Sequence, residues 1–184
     1  MESLTGRVLV ATPALKDPNF ERTVVLMVAH EPGGSIGVVL NRATEVAVGD
    51  VLDGWGPLAD DPGVVFEGGP VQPEAAICIA RSRGASGRIE GFSRVSGVIG
   101  TLDLTRDPET LAGAITGVRV FAGYAGWGEG QLENEIDTGS WFVFDGLPGD
   151  AFVARPEDLW SMVLRRQGGM TAAVAHFPAD PTMN

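Results

Sequence analysis

The sequence predicts an α+β fold, a single domain on a mixed, mainly antiparallel sheet with a few interspersed helices. Three observations carry this expectation. The 184 residues suffice for one sizeable core and are too few to require two. Most apolar stretches are short and bounded by Gly, Pro, Asn or Asp, which is how strands and turns read in a sequence. Helical spacing is confined to a few windows that fall among those strands.

In chain order, residues 7–12 (RVLVAT) read as a first strand ended by Pro13. The loop that follows contains Asp17-Pro18-Asn19, in which proline fixes φ and Asp and Asn can bond the nearby backbone, the chemistry of a tight turn. Residues 23–30 (TVVLMVAH) are almost uninterruptedly apolar, as in a central strand covered on both faces. Residues 31–35 turn the chain and residues 36–42 (IGVVLNR) run back, a hairpin with a five-residue loop. Residues 46–55 carry a helical pattern loosened by Gly49 and Gly54, residues 64–67 a short strand, Gly68-Gly69-Pro70 a turn and residues 75–81 a returning strand. Residues 83–88 are polar and glycine-rich, the expected mobile loop. Residues 95–104 form a strand interrupted by Gly97 and Gly100. Asp107 then caps a helix opened by Pro108, with Leu111 and Ile115 facing the core and Gly117 as its stop.

Residues 118–144 are the densest in aromatics and glycine together. Val118, Val120, Ala122 and Tyr124 alternate with Arg119, Phe121 and Gly123, a strand apolar on both faces. Gly126, Gly128 and Gly130 are expected to break it sharply. Leu132 and Ile136 then share one face of a short helix that ends at Gly139, and residues 140–144 form a second strand with Trp141, Phe142 and Phe144. The final helix, residues 156–167, carries Leu159, Trp160, Val163 and Leu164 on one stripe, acids at its start and Arg165-Arg166 at its end, which suits the helix dipole. Residues 171–184, proline-bearing and poor in large apolar side chains, read as an extended tail of the one domain spanning 1–184.

Composition narrows the function. The net charge of -11 argues against a broad grip on phosphate backbones, which draws its affinity from Lys and Arg. No stretch approaches the length of a spanning helix and the N-terminal apolar run is broken by Pro13, so the expected compartment is the cytoplasm, with no membrane contact. Cys78 stands alone in an apolar strand, an inert buried thiol with no disulfide partner.

The candidate chemistry is sparse. Gly33 to Gly37 fits G-x-S-x-G around Ser35, but a nucleophile elbow needs a helix after the turn and a strand follows here. The Gly126-Trp127-Gly128-Glu129-Gly130 loop opens a helix and so could cradle an anion, yet Glu129, Glu133 and Glu135 would repel a phosphate. His30 and His176 lack ligand spacing, and Glu133 and Asp137 can share a helix face, read as a solvated acidic face; no metal or cofactor is predicted. Asp17, Asn19, Arg22 and Asn41 would sit near one another at strand ends if the hairpin forms, either as turn caps with an arginine–carboxylate pair or as a small polar pocket.

Three blocks look familiar together: residues 17–42 (DPNFERTVVLMVAHEPGGSIGVVLNR), residues 67–71 (EGGPV) and residues 121–141 (FAGYAGWGEGQLENEIDTGSW). In content, order and spacing they resemble the YqgE/AlgH family of bacterial proteins, and the likeness runs from end to end, down to the closing DPTMN. The resemblance implies a branched, partly barrel-like sheet flanked by helices, a cytosolic location and a label of transcriptional regulator without established biochemistry. Glu129 stands where the family more often has proline or a small residue, and Ile79-Ala80 where a Leu-His pair is common.

Two functions from different classes follow. One is a binding or regulatory module acting through a protein partner, with Tyr124, Trp127 and Trp141 and their polar and acidic neighbours, Gln131 and Glu133 among them, as a recognition surface. The other is a small-ligand enzyme whose pocket lies where the loop carrying Asp17, Asn19 and Arg22, the Gly68-Gly69 turn and the Tyr124–Trp127 loop converge. Direct DNA binding ranks below both on charge and on the lack of a helix-turn-helix pattern.

Overall fold

The computed structural model describes residues 2–84 and 88–178. Among them the strands are β1 (Arg7–Ala11), β2 (Val24–Glu31), β3 (Gly34–Val39), β4 (Ala43–Ala47), β5 (Val64–Glu67), β6 (Val71–Ser82), β7 (Phe92–Ser96), β8 (Ile99–Leu102), β9 (Ile115–Gly128) and β10 (Trp141–Asp145). The helices are short: α1 (Val48–Val51), α2 (Pro108–Leu111), α3 (Gln131–Asp137), α4 (Leu159–Gln167) and α5 (Gly169–Val174). The predicted α+β class holds: a mixed, mainly antiparallel sheet runs β10-β1-β2-β3-β9-β6-β8-β7 and curls into a half-barrel.

The 14-residue β9 is the spine. One edge pairs antiparallel with β6, from Ile115 opposite Ser82 to Tyr124 opposite Val71. The other edge is shared: β5 pairs parallel at Phe121 and Ala122, then β3 pairs antiparallel from Ala125 to Gly128. Gly123, at φ 73°, lies between those two partners and lets the strand change neighbours, which is how the sheet branches. A β-carbon on Gly68 would overlap the Gly123 carbonyl and one on Gly69 the Tyr124 backbone. The double-glycine turn is thus a close approach of two backbones.

Three apolar clusters result. Val8, Val10, Leu26, Leu40, Ile79 and Phe121 pack on Leu159, Trp160, Val163 and Leu164 of α4, the stripe expected from the sequence. The opposite face of β1–β3, with Leu9, Val25, Met27 and Val39, meets Trp127, Leu132 and Trp141. A third gathers Val48, Trp55, Val65, Leu111, Val118 and Val120 beneath α1 and α2. Each fully buried Val, Leu, Ile or Phe contributes about 1.5–3 kcal/mol.

Several boundaries differ from expectation. The glycines after Tyr124 do not break β9: Gly126 and Gly128 pair with Ile36 and Gly34, and the left-handed turn comes only at Gly130, φ 71°. The hairpin loop shrinks to Pro32-Gly33, because Glu31 already pairs with Gly34. Over residues 46–55 only Val48–Val51 is α-helical; the stretch before it is β4, recruited by Phe66 and Val64 of β5. Asp107 caps α2 as predicted, its Oδ1 accepting from Glu109 N at 3.0 Å, but the helix is a single turn and Ile115 opens β9. The tail is not extended at its start: Gly169–Val174 is helical and Ala175 is buried against the first cluster. Residues 85–87 of the predicted mobile loop and residues 179–184 of the predicted tail lie outside the described residues.

Candidate functional site

The aromatic and glycine stretch builds scaffold. Trp127 and Trp141 are 5% and 3% exposed and clasp Phe20, with ring centroids 5.7–6.2 Å apart. Glu135 Oε1 accepts both indole N–H groups, from Trp127 at 3.3 Å and Trp141 at 3.1 Å. Gln131 closes the loop, its Oε1 accepting from Gly128 N at 3.0 Å and its Nε2 donating to Glu135 Oε2 at 3.0 Å. Two buried indole donors are thereby satisfied by one carboxylate on the next helix. The expected recognition surface at Trp127 and Trp141 is therefore corrected: both rings face the core, since Gly128 keeps the strand paired until Trp127 has turned inward.

His30 and Glu133, 103 residues apart, form a second tie at 2.7 Å. Leu4 N–H donates to His30 Nδ1 at 3.0 Å, so the proton of the neutral ring sits on Nε2 and points at Glu133. That hydrogen bond holds the Glu133 carboxyl below the usual glutamate range. A carboxylate depressed in the folded state contributes stability that is full above its unfolded value and is lost as pH falls through the folded one. The advantage of wild type over Glu133→Gln in urea unfolding is accordingly expected to be full at neutral pH and to shrink below pH 4.5, the ordinary value. A difference constant across that range would contradict the pairing.

The residues from the first loop cap turns. Asp17 Oδ1 accepts from Asn19 N at 2.8 Å and Asn19 O accepts from Arg42 Nη1 at 2.7 Å. Asn41 bridges Val24 N, at 3.0 Å, and Arg22 O, at 2.9 Å. Among the described residues Arg22 makes no carboxylate pair; its guanidinium stacks 4.0 Å over Trp160 and donates to Phe177 O at 3.0 Å. The three loops do not converge. Val71 of the double-glycine turn and Tyr124 meet in a shallow concavity with Ile36 and Gly126, and the loop of Asp17 and Asn19 takes no part, since its Phe20 packs on Trp127 in the second cluster. Ser35 is buried on β3 opposite Trp127, between two strands and without the turn-to-helix setting of an elbow. Burial pushes the Cys78 thiol up to about 12.

Two features lay beyond the sequence reading. Arg119 is 1% exposed; its guanidinium donates to Val153 O at 2.8 Å and Asp61 O at 2.5 Å and sits 4.4 Å from the centre of the Phe66 ring. Burial pulls its pKa down to about 10, against the opposing pull of Asp60 and Asp61.

The second is a groove. The lateral order β4-β5-β9-β6 makes β5 and β9 a floor of Val65, Val120 and Ala122. Thr44, Val46, Val51 and Leu52 of β4 and the α1 region form one wall, and Glu74, Ala75 and Ala76 of β6 the other, around about 430 Å³. The second wall bulges from β9, with Gln72 at φ 46°, because pairing skips from Val71 to Ala76. Val46 and Val51 are 46% and 57% exposed on the rim. Residues 43–80 contain Glu45, Asp50, Asp53, Asp60, Asp61, Glu67 and Glu74 and no Lys, Arg or His. Asp60 is answered by Arg81 at 3.2 Å. Among the described residues, Asp50, Asp53, Glu67 and Glu74 are exposed and have no ion-pair partner within 4.0 Å.

Comparison with known proteins agrees with this fold. A family model described as AlgH-like matches residues 8–172. A UPF0301 protein of Streptomyces coelicolor is 56% identical over 187 residues, covering 100% of this chain and 97% of that one. The crystal structure of a Corynebacterium diphtheriae protein superposes with a TM-score of 0.91 at 32% identity, covering 96% of this chain and 94% of the other. The solution structure of AlgH from Pseudomonas aeruginosa gives 0.69 at 27% identity, covering 95% and 94%. With the matched segment spanning nearly all of the sheet and the relatives matching end to end, this chain belongs to the AlgH-like family, the YqgE/AlgH proteins.

Proposed function

We propose that the chain is a cytoplasmic binding module that acts through a protein partner, and that any role in transcription is exercised through that partner rather than by contact with DNA. The observation that carries the reading is the open apolar groove between β4 and β6, with Val46 and Val51 exposed at its rim. Apolar side chains displayed beside a preformed concavity gain free energy when a partner covers them. The net charge of -11 and the acids along residues 43–80 oppose a phosphate backbone at this face. No helix among the described residues is long and apolar enough to cross a membrane.

The test compares the tagged wild-type chain with Val46→Ser/Val51→Ser, both purified from the native cell. The expected result is a stoichiometric protein partner retained by the first and lost by the second, with equal melting temperatures because both valines are exposed. Equal retention, or no partner together with a clear thermal shift by a metabolite, would contradict it.

A further inference from the structure

We infer that the groove between β4 and β6 receives a basic amphipathic segment of the partner, one with a narrow apolar stripe and Lys or Arg on both flanks. This deepens the protein-partner reading and rests on it. The floor and rim are apolar, so the seated surface must be apolar too. Acids accompany both walls: Glu74 lines one, and the exposed Asp50 and Asp53 are the chain neighbours of Val51 and Leu52, which line the other. With no base in residues 43–80, no cation of the chain's own segment answers them. An apolar trough with Glu74 in one wall and exposed Asp50 and Asp53 next in the chain to the other suits a helix whose cations flank its apolar stripe, and long Lys and Arg stems can lie along the valines while their heads reach the carboxylates.

A second copy of the chain is the competing occupant. Residues 159–178 hold Arg165 and Arg166 with no acid, and Met162 and Met170 are exposed there. Yet α4 packs on the first cluster, whereas the groove floor residues Val65 and Val120 belong to the third, on the other face of the sheet. Copies joined in that way would meet through two different surfaces, a head-to-tail contact that forms a ring or an open chain, and Arg166 on this segment is already paired with Asp150 at 2.7 Å. The geometry therefore favours a different protein.

The probe is a fluorescein-labelled helical peptide of about 18 residues, with a leucine stripe flanked by lysine. Its counterpart carries glutamate in place of lysine. Anisotropy titration of the full-length chain is expected to give saturable binding of the lysine peptide, weakening as salt rises from about 50 to about 500 mM. Val46→Ser/Val51→Ser and the charge reversal Asp50→Lys/Asp53→Lys/Glu74→Lys should each weaken it by about tenfold or more. The reversed variant should bind the glutamate peptide instead. Equal binding of both peptides by wild type, no saturable binding, indifference to the valine changes, or groove-dependent self-association without peptide would each overturn the inference. A native partner lost on Val46→Ser/Val51→Ser but kept by the charge reversal would overturn the basic segment alone and leave the partner reading standing.

Discussion

Replacing Trp127 by alanine is expected to destabilise the chain by about 3–5 kcal/mol, the range for emptying a buried indole site. At this chain length that is a fall in melting temperature of roughly 6–20 °C. The size follows from what the ring holds. It is 5% exposed, stacks with Phe20, meets Trp141 edge-on at 6.1 Å and satisfies one oxygen of Glu135. Trp127→Phe should recover much of the loss, since the ring volume is largely restored and only the N–H is missing. Calorimetry checks this. A loss under about 1 kcal/mol, the scale of surface substitutions, would mean that the ring lies at the surface after all.

Arg119→Ala is expected to cost about as much, for a different reason. The guanidinium is the only side-chain donor to the Asp61 and Val153 carbonyls among the described residues, and a hydrogen bond from a charged donor contributes about 1.5–3 kcal/mol. The contact with Phe66 goes as well. Asp60 also loses a neighbouring positive charge. Its carboxyl already stands above the ordinary range because it is buried, with Arg81 and Arg119 pulling it back down. Arg119→Met fills the stem volume without donors, so the gap between the methionine and alanine variants measures packing, while the gap between methionine and wild type measures the hydrogen bonds. Chemical denaturation of all three separates them. Full stability in Arg119→Met would show that the guanidinium does nothing the stem does not do.

The fold was largely legible in the sequence because its long apolar runs are strands. The helical stripe of Leu159, Trp160, Val163 and Leu164 lies where its spacing placed it. What local pattern cannot carry is pairing. Gly126 and Gly128 look like strand breakers, yet β3 binds them in register. Residues 46–55 look weakly helical, yet β5 pulls their start into a strand. The site suffered most from the same blindness. Trp127 reads as a surface aromatic only until Glu135 and Trp141, eight and fourteen positions away, are seen to close over it. His30 and Glu133 show no ligand spacing because they meet across 103 residues. Asp17, Asn19, Arg22 and Asn41 did come to neighbouring strand ends, but to serve backbone groups. The acid run over residues 43–80 was visible in the sequence all along. Its meaning depends on β4, β5, β9 and β6 lying side by side.

The molecule divides into an aromatic and glycine scaffold and a groove proposed to bind a partner. Hydrogen–deuterium exchange of the full-length chain, with and without the lysine–leucine peptide, tests that division most directly. Slowed exchange over residues 44–52 and 74–76, with residues 124–135 unchanged, is the predicted result. Protection concentrated in residues 124–135, with the groove walls unaffected, would contradict it.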